Sequence, residues 1–126
     1  MDYLFQNATV LTMCDERPVL QNGFVGVTGG KIVFVGEAAP QEPATRTRNC
    51  EGKFLLPGLV NAHAHTAMCV MRGYADDYTL QTWLYEKVFP VEARLDEQAI
   101  VAGAQLGFAE MLRTGTTSAS DMYFRE

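Results

Sequence analysis

The sequence predicts an α/β fold in which a small antiparallel sheet is followed by the opening strand, helix and strand of a parallel one. Three observations lead there. Short β-branched runs broken by turn residues fill the first 36 positions, and an apolar run at 54–62 then changes the character of the chain. Beyond it, a helix-period stretch from Asp96 to Arg113 leads into a second β-branched run.

The first run, 8–12, is Ala-Thr-Val-Leu-Thr, and two more follow at 23–28 and 31–36. Gly29-Gly30 separates those two as a two-residue hairpin loop, because glycine accepts the positive φ that primed turns demand. Residues 37–50 follow neither a helix nor a strand period and hold two prolines, which predicts a surface connection. A domain boundary is expected near Lys53, dividing the chain into 1–53 and 54–126. The second part opens on Phe54-Leu55-Leu56-Pro57-Gly58-Leu59-Val60-Asn61-Ala62, a strand-like run with a Pro-Gly turn inside it, which delivers the chain into His63.

Leu80, Trp83, Leu84 and Val88 stand at helical spacing, and Pro90 is expected to stop their helix. In the next helix Asp96 is the N-cap and Ile100, Ala104, Phe108 and Met111 share a face. Arg113 suits its C-terminal dipole, and Gly115 supplies the stop. Residues 116–123 read as a strand. A strand, a crossover helix and a strand form a βαβ unit, with parallel pairing and a right-handed connection. Parallel sheets are covered on both faces, so more strands and helices than these residues supply are expected.

Composition narrows the function. With 48% hydrophobic and 20% charged residues the chain is of ordinary globular type, and its net charge of −5 is scattered. That balance argues against nucleic acid or an anionic membrane as partner, and leaves a small polar ligand. Cys14, Cys50 and Cys69 are widely spaced and odd in number, which suits a reducing compartment better than a disulfide framework. There is no basic-then-apolar leader and no stretch approaching the roughly 20 apolar residues of a membrane span. A soluble cytoplasmic protein is the expectation.

His63 and His65 are the only histidines, two apart at the end of a strand. A period of two turns both imidazoles to one side, close enough for one metal ion. The same pair could also be ordinary polar residues in a strand-to-loop turn, since a catalytic zinc site usually has three protein ligands.

The surrounding text, Leu56-Pro57-Gly58-Leu59-Val60-Asn61-Ala62-His63-Ala64-His65-Thr66, resembles the first-strand signature of the amidohydrolase superfamily. The likeness continues through Met71-Arg72-Gly73, Trp83-Leu84, Pro90-Val91-Glu92 and Gly115-Thr116-Thr117 to Asp121-Met122-Tyr123. The pattern is similar to the branch holding methylthioadenosine/S-adenosylhomocysteine deaminases, guanine deaminase and s-triazine hydrolases. Its Asn-Ala-His-Ala-His-Thr, Trp-Leu and Pro-Val-Glu elements lie nearest the first of these.

The resemblance implies a metal-dependent (β/α)8 barrel, of which 54–126 would be the first portion, preceded at 1–53 by part of a composite β-sandwich. It implies that His63 and His65 bind a divalent metal, zinc foremost, which makes hydroxide available near neutral pH for attack on a ring carbon with loss of ammonia. The other ligands and the proton-transfer groups would lie on later strands, so no catalytic residue is expected in this segment. Glu92 matches a position that accepts hydrogen bonds from ribose hydroxyls, and Trp83 would line the substrate pocket. A solvated glutamate and a core tryptophan are the plain readings of the same two residues.

The loop residues Arg72, Asp76 and Asp77 read as a solvated charged loop, Asp121 as structural, and Cys69, Met68, Met71 and Met111 as packing. The implied activity is that of a hydrolytic deaminase of an adenosine-type nucleoside, a homo-oligomer in its full-length form, with this segment inactive alone. Two alternatives stay open. One is an aminohydrolase or chlorohydrolase on guanine, cytosine or an s-triazine; the other is a non-catalytic fragment that self-associates through exposed strand edges.

Overall fold

The computed structural model describes residues 1–123, which divide into two compact units, Met1–Pro57 and Gly58 onward. The division falls a little beyond Lys53 for a physical reason. Phe54–Leu55 forms a short strand paired parallel to Thr9–Val10, so it belongs to the first sheet.

The first unit is a five-stranded sheet. Its central strand β1 (Tyr3–Leu11) pairs antiparallel with β2 (Val19–Thr28), which pairs antiparallel with β3 (Lys31–Gly36). The β2–β3 loop is the expected glycine pair, with φ of 57° at Gly29 and 74° at Gly30. On the other side of β1 lie β4 (Arg46–Asn49) and β5 (Phe54–Leu55), both parallel to it. The strand β4 runs through the stretch expected as a surface connection. All four of its residues are exposed, so Arg-Thr-Arg-Asn has no buried side to create an alternation, and backbone pairing to β1, with side-chain hydrogen bonds from Arg46 to Tyr3 and from Asn7 to Asn49, defines it. Ala8, Val10, Leu20, Val25 and Cys50 form the core, with Phe5 and Leu55 packed against it.

The second unit contains the βαβ element. Strand β6 (Leu59–Ala64) pairs parallel with β7 (Thr116–Asp121). Between them come a 3₁₀ turn at Thr66–Met71, a helical stretch through residue 92, and helix α2 (Glu97–Arg113). To keep chain order, the single turn Phe89–Glu92 is named α1. Asp96 caps α2 as expected, accepting the Ala99 N–H at 2.8 Å, and Gly115 follows the last turn at φ 92°. No helix among the described residues is long and apolar enough to cross a membrane.

Two helical details differ from the sequence expectation. Pro90 does not stop its helix. Thr82–Val88 is wound as a π-helix whose wider turn carries the Phe89 N–H back to the Leu84 carbonyl, and Pro90 follows in the first turn of α1 as the helical path continues. In α2 the buried positions are Gly103 and Gly107, while Phe108 of the expected face is 41% exposed. Lacking side chains, these glycines let α2 lie directly on the 3₁₀ turn. A Cβ at Gly103 would collide with the Ala67 carbonyl, and one at Gly107 would stand 3.2 Å from Thr66 Cβ.

Candidate functional site

The parallel pair β6–β7 sets the site's position, because ligands of open parallel sheets gather at the carboxyl ends of the strands. At that end of β6 stand His63, Ala64 and His65. Pairing matches Asn61 with Ala119 and Ala64 with Asp121, so three steps along β6 oppose two along β7. That one-residue bulge kinks β6 at its last turn. Asn61 braces it, with its side-chain oxygen accepting the His63 backbone N–H at 3.2 Å.

The result brings the two imidazoles together. Their Nε2 atoms are 3.1 Å apart, with rings edge to face at a 71° interplanar angle. His63 is exposed, His65 half-buried, and Ala64 between them buried at 7%. Two neutral ring nitrogens at this distance are satisfied either by a proton on one donated to the other or by a shared cation. Ring nitrogens bound to one zinc ion at about 2.0–2.1 Å each lie roughly 2.9–3.4 Å apart, so the spacing and the donor chemistry both fit a divalent metal. Among the described residues no group of three or more His, Cys, Asp or Glu could hold one, so the two imidazoles stand there without a third such donor.

Immediately after His65 the chain turns under tight control. The Thr66 N–H donates to both carboxylate oxygens of Asp121 at 3.3 Å each, and the Thr66 hydroxyl donates to Oδ2. The Met122 N–H donates to the Ala64 carbonyl at 2.8 Å, and the Met68 N–H to the His65 carbonyl at 3.0 Å.

The other residues singled out in the sequence are placed as follows. Trp83 is half-buried in the π-helical stretch, and Glu92 is half-buried at the end of α1. Neither has a hydrogen bond, ion pair or ring contact with the histidine pair. Arg72 is not merely a solvated loop residue. Its two terminal nitrogens grip the Glu110 carboxylate of α2 at 2.9 and 2.6 Å, and one also reaches Cys69 Sγ at 3.7 Å. Hydrogen bonding from Arg72 holds the Glu110 carboxyl below the usual carboxylate range, and the pairing in turn holds the Arg72 guanidinium above its ordinary value. Cys69 itself is half-buried.

Residues 54–126 match the model of the amidohydrolase family. Over 125 residues the chain is 41% identical to a 5-methylthioadenosine/S-adenosylhomocysteine deaminase of Bacillus cereus, covering 98% of this chain and 29% of that protein. A solved adenosine deaminase from Xanthomonas campestris with bound zinc superposes with a TM-score of 0.86 at 38% identity, covering 98% of this chain and 29% of the other. An atrazine chlorohydrolase from Arthrobacter aurescens TC1, solved with zinc, gives the same TM-score at 27% identity, covering 96% and 28%. The chain thus spans less than a third of the length of these relatives.

Proposed function

Because this chain belongs to the amidohydrolase family, we propose that His63 and His65 are two ligands of the catalytic divalent metal, zinc foremost, in a hydrolytic deaminase of an adenosine-type nucleoside. The observation that carries this reading is the 3.1 Å approach of the two Nε2 atoms at the carboxyl end of a parallel strand. Bound there, the ion supplies Lewis acidity toward water near neutral pH.

The chain's own residues do the rest of the local work. Both histidines act as neutral ligands through Nε2, which puts each remaining proton on Nδ1. Asn61 fixes the bulge that aims His63. Glu92 offers a carboxylate to the paired hydroxyls of a ribose, and Trp83 presents an aromatic wall to the substrate. Methylthioadenosine and S-adenosylhomocysteine are the leading substrates, because the deaminase relatives share 41% and 38% of this sequence against 27% for the chlorohydrolase.

The test uses the full-length protein. H63A combined with H65A is expected to lose its bound zinc and to lower ammonia release from methylthioadenosine roughly 1,000-fold, the worth of several kcal/mol of transition-state stabilisation. Retention of stoichiometric zinc by that double variant would overturn the metal assignment. The equal TM-score of the atrazine chlorohydrolase supports a second reading, hydrolysis of a substituted triazine ring. Glu92→Gln separates the two. If the nucleoside reading holds, it lowers kcat/KM for methylthioadenosine by about 10- to 100-fold, as expected for loss of a charged hydrogen-bond acceptor. Unchanged nucleoside turnover in E92Q would remove the ribose role.

A further inference from the structure

Thr66 is the one buried polar residue among those described, 3% exposed, and it follows His65 directly in the chain. A buried amide and hydroxyl both need partners. Here both find the same one, the Asp121 carboxylate, 55 residues away at the end of β7. Asp121 Oδ1 also accepts the Tyr123 N–H at 3.3 Å. With the Met122 N–H donating to the Ala64 carbonyl, the end of β7 is tied to the chain on both sides of His65.

The segment after His65 is also backed from behind. Gly103 of α2 leaves no room for a Cβ against the Ala67 carbonyl, a Cβ at Gly107 would stand a tight 3.2 Å from Thr66, and Ala67 is 1% exposed. The start of the 3₁₀ turn is therefore held from the α2 side as well as from the Asp121 side. His65 leaves a bulged strand and enters this pinned turn within one residue, so its ring orientation follows from the backbone that Thr66 and Asp121 hold. A carboxylate suits the task, since a charged acceptor binds several N–H and O–H donors at once more strongly than a neutral one.

We infer that Asp121 is a positioning residue for the histidine pair, acting through Thr66 to hold His65 in register with His63. The inference rests on the metal-ligand reading of that pair. Outer partners of ligating histidines typically change metal affinity by about 10- to 100-fold when removed.

Three variants of the full-length protein test this: D121A, D121N and T66V. Zinc affinity is read by competition with a chelator, and site geometry by the visible spectrum of the cobalt-substituted protein. D121A, folded by circular dichroism, is expected to bind zinc about 10- to 100-fold more weakly and to shift the cobalt bands. D121N, which keeps one acceptor oxygen for Thr66, falls between it and wild type, and T66V shifts in the same direction by less.

Wild-type affinity and spectrum in D121A would overturn the inference, even with a lowered thermal midpoint, because a purely structural aspartate changes only the latter. If D121A does not fold, unchanged affinity and spectrum in both D121N and T66V overturn it instead. The H63A/H65A double variant separates the two levels. Zinc retained there defeats the metal assignment and this inference together, whereas zinc lost there but unaffected by the Asp121 and Thr66 variants defeats this inference alone.

Discussion

That His63 and His65 face one way follows from the alternation of residues along a strand, so it was legible in sequence; the 3.1 Å separation of their Nε2 atoms also depends on the bulge against β7 and the Asn61 brace. Asp121 was not legible in the same manner. An aspartate closing a strand looks alike in sequence whether it is solvated or holds a backbone turn, and its partner Thr66 stands 55 residues earlier. Arg72 hid its role similarly, since Glu110 lies 38 residues beyond it on another element. The Arg72–Glu110 pair makes a pH-dependent prediction. Glu110's carboxyl is held low by the hydrogen bond from Arg72, so its pairing stabilises the loop above the unfolded glutamate value of about 4.3 and is lost as pH falls through the lower folded value. The Arg72 side chain is 61% and the Glu110 side chain 45% exposed, so solvent screens the pair and the effect is small. In hydrogen exchange on the full-length protein, E110Q is expected to lower protection of the amides at 66–72 by a few-fold at pH 7. Wild type should converge on the variant once pH has fallen through that lower folded value. A difference that persists undiminished in acid would mean that Glu110 acts through packing.

Helix α2 carries the clearest tension between propensity and packing. Two glycines in a 17-residue helix weaken it by about 1 kcal/mol each relative to alanine, and they occupy its only buried positions. Hydrophobic periodicity drew attention to Ile100, Ala104, Phe108 and Met111 because a pattern of bulk cannot register a face defined by missing side chains. The π-helical stretch and the exposed strand β4 were illegible for related reasons: the first depends on how a chain accommodates Pro90, the second on backbone pairing without a buried face. By contrast the Asp96 cap, the Gly29-Gly30 turn and the Gly115 stop were readable, because each is a local conformational demand met by one residue type. Gly103→Ala puts the tension to a test. Propensity alone predicts a gain of about 1 kcal/mol. The Cβ, however, would meet the Ala67 carbonyl, which is backbone and cannot rotate away, and overpacking of this kind costs about 1–3 kcal/mol. A net lowering of the thermal midpoint, with faster exchange in the Thr66–Met71 turn, is expected; a G103A protein more stable than wild type would show that α2 does not rest on that turn.

Two imidazoles do not make a catalytic zinc site, for which three protein ligands and an open position are the rule. No third ligand stands beside them among the described residues, and the chain spans 29% of the deaminase relative's length. Packing points the same way as ligand count. Parallel sheets are normally covered on both faces, yet Leu59 and Val60 of β6 are 52% and 70% exposed, so the strand leading to the histidines lacks that cover. A site with two protein ligands in place of the usual three loses metal affinity on ligand number alone. Residues 1–126 expressed alone are therefore expected to retain less than one zinc per chain after gel filtration. Their ammonia release from methylthioadenosine should lie at least about 1,000-fold below that of the full-length protein assayed beside them. The same comparison in the H63A background makes the result specific to the site. Turnover by the 126-residue chain that disappears with H63A would mean that two histidines and solvent suffice as ligands, and the requirement for ligands from later strands would then have to be given up.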